Sequence, residues 1–158
     1  MGEPTRNEGA AYYQQLRQQV VRLGLQEQVH FRGFRPNPDV FYQAIDVFVM
    51  VSENETYGMV TLEALAAGGL VVGAAAGGTA ELVQDGHNGL LFPLRDVAAC
   101  ARALHSCLHD QPATRQRVEH ARLDQWRYSH HQQCSLTEEI IGGLFPGPPA
   151  AADAGNGM

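Results

Sequence analysis

Two glutamates, Glu55 and Glu63, form an E-x7-E pair in the first half of the chain. If most of that span is helical, a rise of ~1.5 Å per residue separates their Cα atoms by about 12 Å. The paired carboxylates of glycoside hydrolases stand roughly 5–10 Å apart, so an acid/base pair is not expected here. The larger separation suits two carboxylates that hold opposite ends of one elongated polar ligand. From the spacing alone, a loop glutamate and a solvated helix glutamate are an equally good interpretation.

The residues between the two glutamates include the first turn of a predicted helix, which follows a buried strand. Residues 58–60 belong to that turn. The free N–H groups and the positive end of the helix dipole favour a bound phosphate there. A diphosphate at this turn, with a carboxylate on either side to accept hydroxyl protons, corresponds to a nucleotide sugar.

The strands that position this turn follow the pattern of a parallel sheet. Alternation of apolar and polar residues predicts a strand at 29–34. A continuous apolar run at 46–51 predicts a strand covered on both faces, and further buried strands are predicted at 70–72 and 90–92. Strands that alternate with helices at this spacing predict an α/β fold.

The helices and loops complete one predicted domain at residues 11–141. We predict a loose N-terminus at 1–10 and a disordered tail at 142–158. Ligands bind outside the carboxyl ends of parallel strands, so three loops are expected to line one rim, at 33–38, 52–58 and 73–79. Residues 36–39 supply caps for a short predicted helix that runs through about residue 44. The other predicted helices occupy residues 12–23, 59–67, 77–83, 96–109 and 112–122, with one more near 129–141.

The composition excludes several classes of protein. Of the 158 residues, 44% are hydrophobic and 18% are charged, which is not the composition of a disordered chain. No apolar run approaches the ~20 residues of a membrane span, and no signal-peptide core is present. The net charge is −6, and all 11 positive side chains are arginines, so nucleic acid is not an expected partner. Three cysteines without a CxxC pair indicate reduced thiols and a cytoplasmic protein.

A metal site is also not predicted. His105 and His109 are spaced i,i+4 on a predicted helix, which is a spacing that two metal ligands can share. No third ligand accompanies them in the sequence, so we interpret both as ordinary histidines.

Four motifs resemble those of one enzyme family. The run from Ser52 to Val72, which contains both glutamates, is similar to the signature of group 1 (family 4) retaining glycosyltransferases of the GT-B fold. Supporting matches lie at 29–34, 76–81 and 85–91. The resemblance extends from about residue 12 to residue 128 and is far more specific than the glutamate spacing alone. It implies a Rossmann-like parallel sheet flanked by helices, namely the C-terminal half of the GT-B fold without its first strand.

The resemblance implies a role for each glutamate. Glu63 would accept hydrogen bonds from the ribose hydroxyls, and Glu55 would hold hydroxyls of the donor sugar as the catalytic residue. The implied reaction transfers a hexose from a nucleotide-diphosphate sugar with retention at the anomeric carbon. It implies no metal or other cofactor, and an acceptor bound by a separate N-terminal domain.

The resemblance also implies a set of donor-binding backbone and loop positions. The backbone amides expected to hold the diphosphate are those of Gly58, Met59 and Val60. The loop expected at the edge of the nucleotide base consists of Gly33, Phe34 and Arg35. Thr56 and Tyr57, which lead into the helix, complete the set.

The sequence departs from the family pattern in ways that bear on activity. Leu70 stands where the family commonly has proline, with little expected effect. The sequence starts at the family's second donor-domain helix, after a loop that normally supplies an arginine and a lysine to the leaving diphosphate. It contains no lysine, and Arg35 and Arg95 are each better interpreted as surface arginines. We therefore predict that the isolated chain binds donor weakly and turns it over negligibly.

Two functions and two kinds of partner follow from these departures. The chain is either the donor-binding portion of a glycosyltransferase, as a truncated product or one piece of a split enzyme, or a non-catalytic nucleotide-sugar-binding module. The expected partners are a separate N-terminal half, or a second copy that associates through the exposed edge of the sheet.

Overall fold

A computed structural model describes residues 7–34, 36, 38–124, 127, 132, 134, 135 and 137–139. The chain divides into two compact units, Met1–Phe41 and Tyr42–Met158. The predicted tail at 142–158 and much of the predicted helix at 129–141 lie outside the described residues.

The first unit contains helix α1 (Asn7–Arg22), which ends in a Schellman motif. Gly24 adopts φ 68° beyond the helix end. The N–H of Leu25 donates to the carbonyl of Val20 at 3.0 Å, and the N–H of Gly24 donates to the carbonyl of Val21 at 3.1 Å. The predicted glycine stop is confirmed. The helix begins earlier than its apolar spacing indicates, so residues 7–10 are helical and the prediction of a loose N-terminus is wrong for them.

The predicted strand at 29–34 is absent, and this prediction was wrong. Phe31 instead packs its ring edge-on against Tyr13 of α1, with ring centroids 5.2 Å apart, and the Arg17 guanidinium lies 5.8 Å from both rings. An alternating segment becomes a strand only if a neighbouring strand pairs with it. No strand in the described residues does so, and side-chain packing on α1 accounts for the apolar positions.

The second unit is a parallel sheet flanked by helices. Within the described residues, the sheet has three strands, in the order β1 (Val47–Met50), β2 (Leu70–Ala74) and β3 (Gly89–Phe92). Val47 lies opposite Leu70, and Val71 lies opposite Gly89. The α/β prediction is confirmed, and the helix bounds agree to within about two residues. The elements, of which α2 crosses the division between the units, are α2 (Pro38–Ala44), β1 (Val47–Met50), α3 (Met59–Ala66), β2 (Leu70–Ala74), α4 (Gly77–Leu82), β3 (Gly89–Phe92), α5 (Val97–His109) and α6 (Gln111–Asp124).

The core of this unit lies on β2. All five β2 residues are buried, as expected for a strand between two neighbours. Leu70, Val72 and Ala74 project toward Phe92 of β3 and Cys107 of α5 to form one apolar cluster. Burial also raises the pKa of the Cys107 thiol, which remains protonated at neutral pH.

Strand β1 was predicted to be covered on both faces, but it is partly exposed in the structure. It pairs with β2 along one edge, and no other described strand pairs with it. Val49 is 38% exposed, and Val51, just beyond the strand, is 63% exposed. The apolar run at 46–51 therefore forms an edge strand, because a continuous apolar run does not distinguish a central position from an edge position. No helix in the described part of the chain is long and apolar enough to cross a membrane.

Replacing Leu70 by alanine should destabilise the second unit. Leu70 is fully buried, so Leu70→Ala is expected to lower the free energy of unfolding by about 2–5 kcal/mol in urea denaturation. The matched control is Leu108→Ala on the exposed side of α5, which should change it by about 0.5 kcal/mol or less. Equal losses in the two variants would contradict the assignment of the core.

Candidate functional site

The candidate site lies at the carboxyl edge of the parallel sheet, where the chain leaves β1 and β2. The turn at 51–58 follows β1, and the loop at 75–76 follows β2. The N–H of Gly78, in the first turn of α4, donates to the carbonyl of Glu55 at 2.7 Å. The structure thus joins the predicted loops 52–58 and 73–79. The third predicted rim loop, 33–38, belongs to the first unit.

Two glycines allow this contact between backbone segments. Gly77 adopts φ 51°, and a Cβ atom there would overlap the Glu55 carbonyl oxygen. A Cβ atom on Gly78 would lie 2.5 Å from the carbonyl carbon of Tyr57. Close in sequence to these glycines, Thr79 of α4 forms a buried hydrogen bond of 3.1 Å with the hydroxyl of Thr61 in α3. The turn that carries Glu55 therefore packs directly on the first residues of α4, and the threonine pair joins α4 to α3.

Helix α3 begins immediately after this turn, at the predicted position. Gly58 precedes it with φ 79°, and its N–H donates to Oε1 of Glu55 at 3.1 Å. Two further N–H groups of the first turn, those of Met59 and Val60, have no acceptor among the described residues. Two of the three predicted amides are therefore free. The third, that of Gly58, donates to the Glu55 carboxylate in this structure, so a bound phosphate would have to displace that carboxylate.

Glu63 lies one turn into α3 and is partly buried. Its Oε2 accepts a hydrogen bond of 3.0 Å from the hydroxyl of Tyr42, a buried residue of α2. The Tyr42 ring packs edge-on against Phe48 of β1, at 5.7 Å between centroids and 69° between planes. Sequence reasoning did not identify Tyr42. The available signal was that a buried tyrosine hydroxyl normally requires a hydrogen-bond partner.

The other predicted site residues fall in three groups. Thr56 and Tyr57 lie in the turn before α3, and Tyr57 is 62% exposed. Gly33 and Phe34 belong to the first unit, where Gly33 has φ 59° and Phe34 is exposed. Arg35 lies outside the described residues.

An ion pair lies at the same edge of the sheet. Arg95, after β3, donates from Nε and Nη2 to the two carboxylate oxygens of Glu53, at 2.7 and 2.9 Å. The paired hydrogen bonds hold the pKa of Glu53 below its usual value and raise the pKa of Arg95. Both side chains are exposed, and such pairs contribute little to stability. The Arg95 charge is therefore neutralised locally but is not locked in place.

A cavity of about 350 Å³ adjoins this ion pair. It is mainly apolar, and none of the predicted donor-binding residues lines it. Its walls include Val51, Leu94, Val97, Cys100 and Leu104.

The two histidines on α5 stack rather than converge on a common point. The rings of His105 and His109 are 3.8 Å apart at 10°, and Nδ1 of His109 lies 2.8 Å from the carbonyl oxygen of His105. The described residues contain no group of three or more histidine, cysteine or acidic side chains able to hold a metal ion.

Comparison with known proteins identifies the family. The sequence model of the family described as Glycosyl transferases group 1 matches residues 8–124, which include both glutamates and all described elements except the start of α1. The chain belongs to the group 1 glycosyl transferases.

Two transferases are similar to the chain in sequence. The chain is 37% identical to a D-inositol 3-phosphate glycosyltransferase of Corynebacterium efficiens over 137 residues, covering 79% of the chain and 32% of that protein. It is 47% identical over 73 residues to the sulfoquinovosyl transferase SQD2 of Arabidopsis thaliana, covering 44% of the chain and 14% of that protein. The chain thus spans a third or less of the length of these relatives.

A solved structure with a bound nucleotide sugar shares the fold. The crystal structure of Anabaena Alr3699/HepE in complex with UDP-glucose superposes with a TM-score of 0.78 and 30% sequence identity, covering 90% of the chain and 39% of that protein. Together with the parallel sheet, this similarity confirms the Rossmann-like α/β fold of the GT-B glycosyltransferases.

Replacing Gly78 by alanine should displace the turn that carries Glu55. The added Cβ would overlap the backbone of Tyr57, so the free energy of unfolding should fall by about 1–3 kcal/mol. The backbone amide resonances of residues 55–58 should shift in a ¹⁵N-correlation spectrum. The control is Gly86→Ala, which meets no atom within 4 Å but has φ 75° and should cost about 1 kcal/mol. If resonances 55–58 are unchanged in Gly78→Ala, the contact does not position the turn.

Proposed function

We propose that this chain is the donor-binding portion of a retaining hexosyltransferase that uses a nucleotide-diphosphate sugar. The observation that carries the proposal is the placement of the two glutamates. Glu55 lies just before α3 and Glu63 lies one turn into it, so they flank the free amides of the first turn. The family membership and the complex of the similar Anabaena protein with UDP-glucose support it.

The proposed donor lies across the beginning of α3. The Met59 and Val60 amides donate to the diphosphate, and the Gly58 amide joins them when the Glu55 carboxylate releases it. Glu63 accepts hydrogen bonds from the ribose hydroxyls at one end of the donor. Glu55 holds hydroxyls of the sugar at the other end, beside the anomeric carbon. Under this proposal no metal is needed, and an N-terminal domain on a separate stretch of polypeptide binds the acceptor.

Electrostatics limit how tightly this chain alone holds such a donor. A leaving nucleoside diphosphate carries nearly two negative charges, whereas a helix end supplies only about half a unit of positive charge. Residues 36–104 contain eight acidic side chains and two arginines, Arg95 and Arg102. Arg95 is paired with Glu53. Weak donor binding and negligible turnover are therefore expected until a partner supplies positive charge.

The same shortage of positive charge favours a second candidate function. The chain has no lysine, and Arg95 is already paired. A non-catalytic module that retains the nucleotide-sugar site and binds a partner would need no means of stabilising the leaving group.

Titration calorimetry with UDP and UDP-glucose tests the proposed site. The wild-type chain should bind with a dissociation constant weaker than about 10 µM, and Glu63→Ala should weaken binding about tenfold or more because hydrogen bonds to a charged group are lost. Glu119→Ala, which removes an exposed glutamate from α6, is the control and should bind like wild type. Unchanged affinity in Glu63→Ala would refute the site, and low-micromolar binding by wild type would refute the electrostatic argument.

Complementation distinguishes the two candidate functions. The chain is co-expressed with a polypeptide that carries the remaining part of a full-length relative, and sugar transfer is assayed. Restored transfer that is lost in Glu55→Gln indicates the donor-binding half of a split enzyme. Formation of a stable complex without transfer indicates the non-catalytic module.

A further inference from the structure

We propose that Tyr42 is a positioning residue that orients the Glu63 carboxylate toward the ribose of the bound nucleotide. Tyr42 lies 21 residues before Glu63 and on a different helix, so only the fold brings the two together. The proposal rests on the proposed function, because it assigns a means of recognition to the ribose end of the same site.

The Tyr42 hydroxyl has a restricted position. The residue is only 6% exposed, and its ring packs edge-on against Phe48 of β1. A ring held between a helix and the sheet has little rotational freedom, so the hydroxyl lies at a defined point near α3. At that point it donates to Oε2 of Glu63 at 3.0 Å.

This contact leaves one carboxylate oxygen available. Oε1 of Glu63 has no donor among the described residues, while Oε2 receives the tyrosine hydrogen bond. A free glutamate side chain must lose rotational freedom when it binds two ribose hydroxyls, which weakens binding. Because Tyr42 already holds the carboxylate, that loss is incurred on folding rather than on ligand binding. The effect applies only to ligands that carry ribose hydroxyls.

The alternative is that Tyr42 contributes only to packing and that Glu63 satisfies its buried hydroxyl. A purely structural role predicts that loss of the hydroxyl affects all nucleotides equally. A positioning role predicts an effect confined to nucleotides with ribose hydroxyls. The conservative variant Tyr42→Phe separates these roles, because it retains the ring and its packing on Phe48.

The experiment is an NMR titration of the complete 158-residue chain with UDP and with 2′,3′-dideoxyuridine 5′-diphosphate. For Tyr42→Phe we expect affinity for UDP to fall about three- to tenfold, because the released glutamate side chain then loses its rotational freedom on ligand binding. Affinity for the dideoxy analogue should be unchanged. Glu63→Ala should reduce UDP affinity to that of the analogue, and adding Tyr42→Phe to Glu63→Ala should cause no further loss.

Two control variants identify nonspecific effects. Tyr12→Phe removes a hydroxyl from an exposed tyrosine and should bind both ligands like wild type. Thr61→Val breaks the buried threonine pair beneath α3 without touching Glu63, so any loss of affinity should be equal for the two ligands.

The possible outcomes separate failure of this inference from failure of the proposed function. If Glu63→Ala weakens UDP binding but Tyr42→Phe does not, or weakens both ligands equally, the positioning role is overturned and the proposed site stands. If Glu63→Ala has no effect on UDP, or if the wild-type chain binds none of UDP, GDP and ADP, the proposed function fails and the inference with it. If GDP or ADP binds more tightly than UDP, the corresponding dideoxy analogue is used with the same criteria.

Discussion

The close approach of α4 to the turn after β1 is the constraint on which the candidate site depends. Gly77 and Gly78 carry no side chain, so the backbone of Glu55 and Tyr57 can lie directly against them. The Gly78–Glu55 hydrogen bond and the buried threonine pair then connect α3, α4 and the turn. As a result, the position of the Glu55 carboxylate depends on backbone contacts, which are less adaptable than side-chain contacts.

The electrostatics of the site place negative charge where the proposed ligand is also negative. The Glu55 carboxylate accepts the Gly58 amide and so occupies one donor at the positive end of α3. This arrangement stabilises the helix when no ligand is bound. Under the proposed function, a diphosphate competes with Glu55 for that amide, and release of Glu55 would direct its carboxylate to the sugar. The site is thus better suited to holding hydroxyls at the ends of a donor than to neutralising charge in the middle.

Predictions from periodicity succeeded where burial was uniform and failed at the margins of the sheet. The short apolar run of β2 is fully buried between two neighbours, as its composition indicates. Among the described strands, the equally apolar run of β1 lies at the edge of the sheet, and the alternating segment at 29–34 is not a strand. In both cases the deciding factor is whether another strand pairs alongside, and that depends on residues distant in sequence.

The sequence by itself determined the order of elements in the second unit, the turn that carries Glu55 and the beginning of α3 after Gly58. These features depend on local patterns of burial, glycine and charge within a few residues of one another. Only the tertiary structure decided that Tyr42 meets Glu63, that Gly78 meets Glu55 and that Arg95 pairs with Glu53. Each of these contacts joins residues 21 to 42 positions apart on different elements. Their formation depends on how helices and strands pack, which no local pattern of residues specifies.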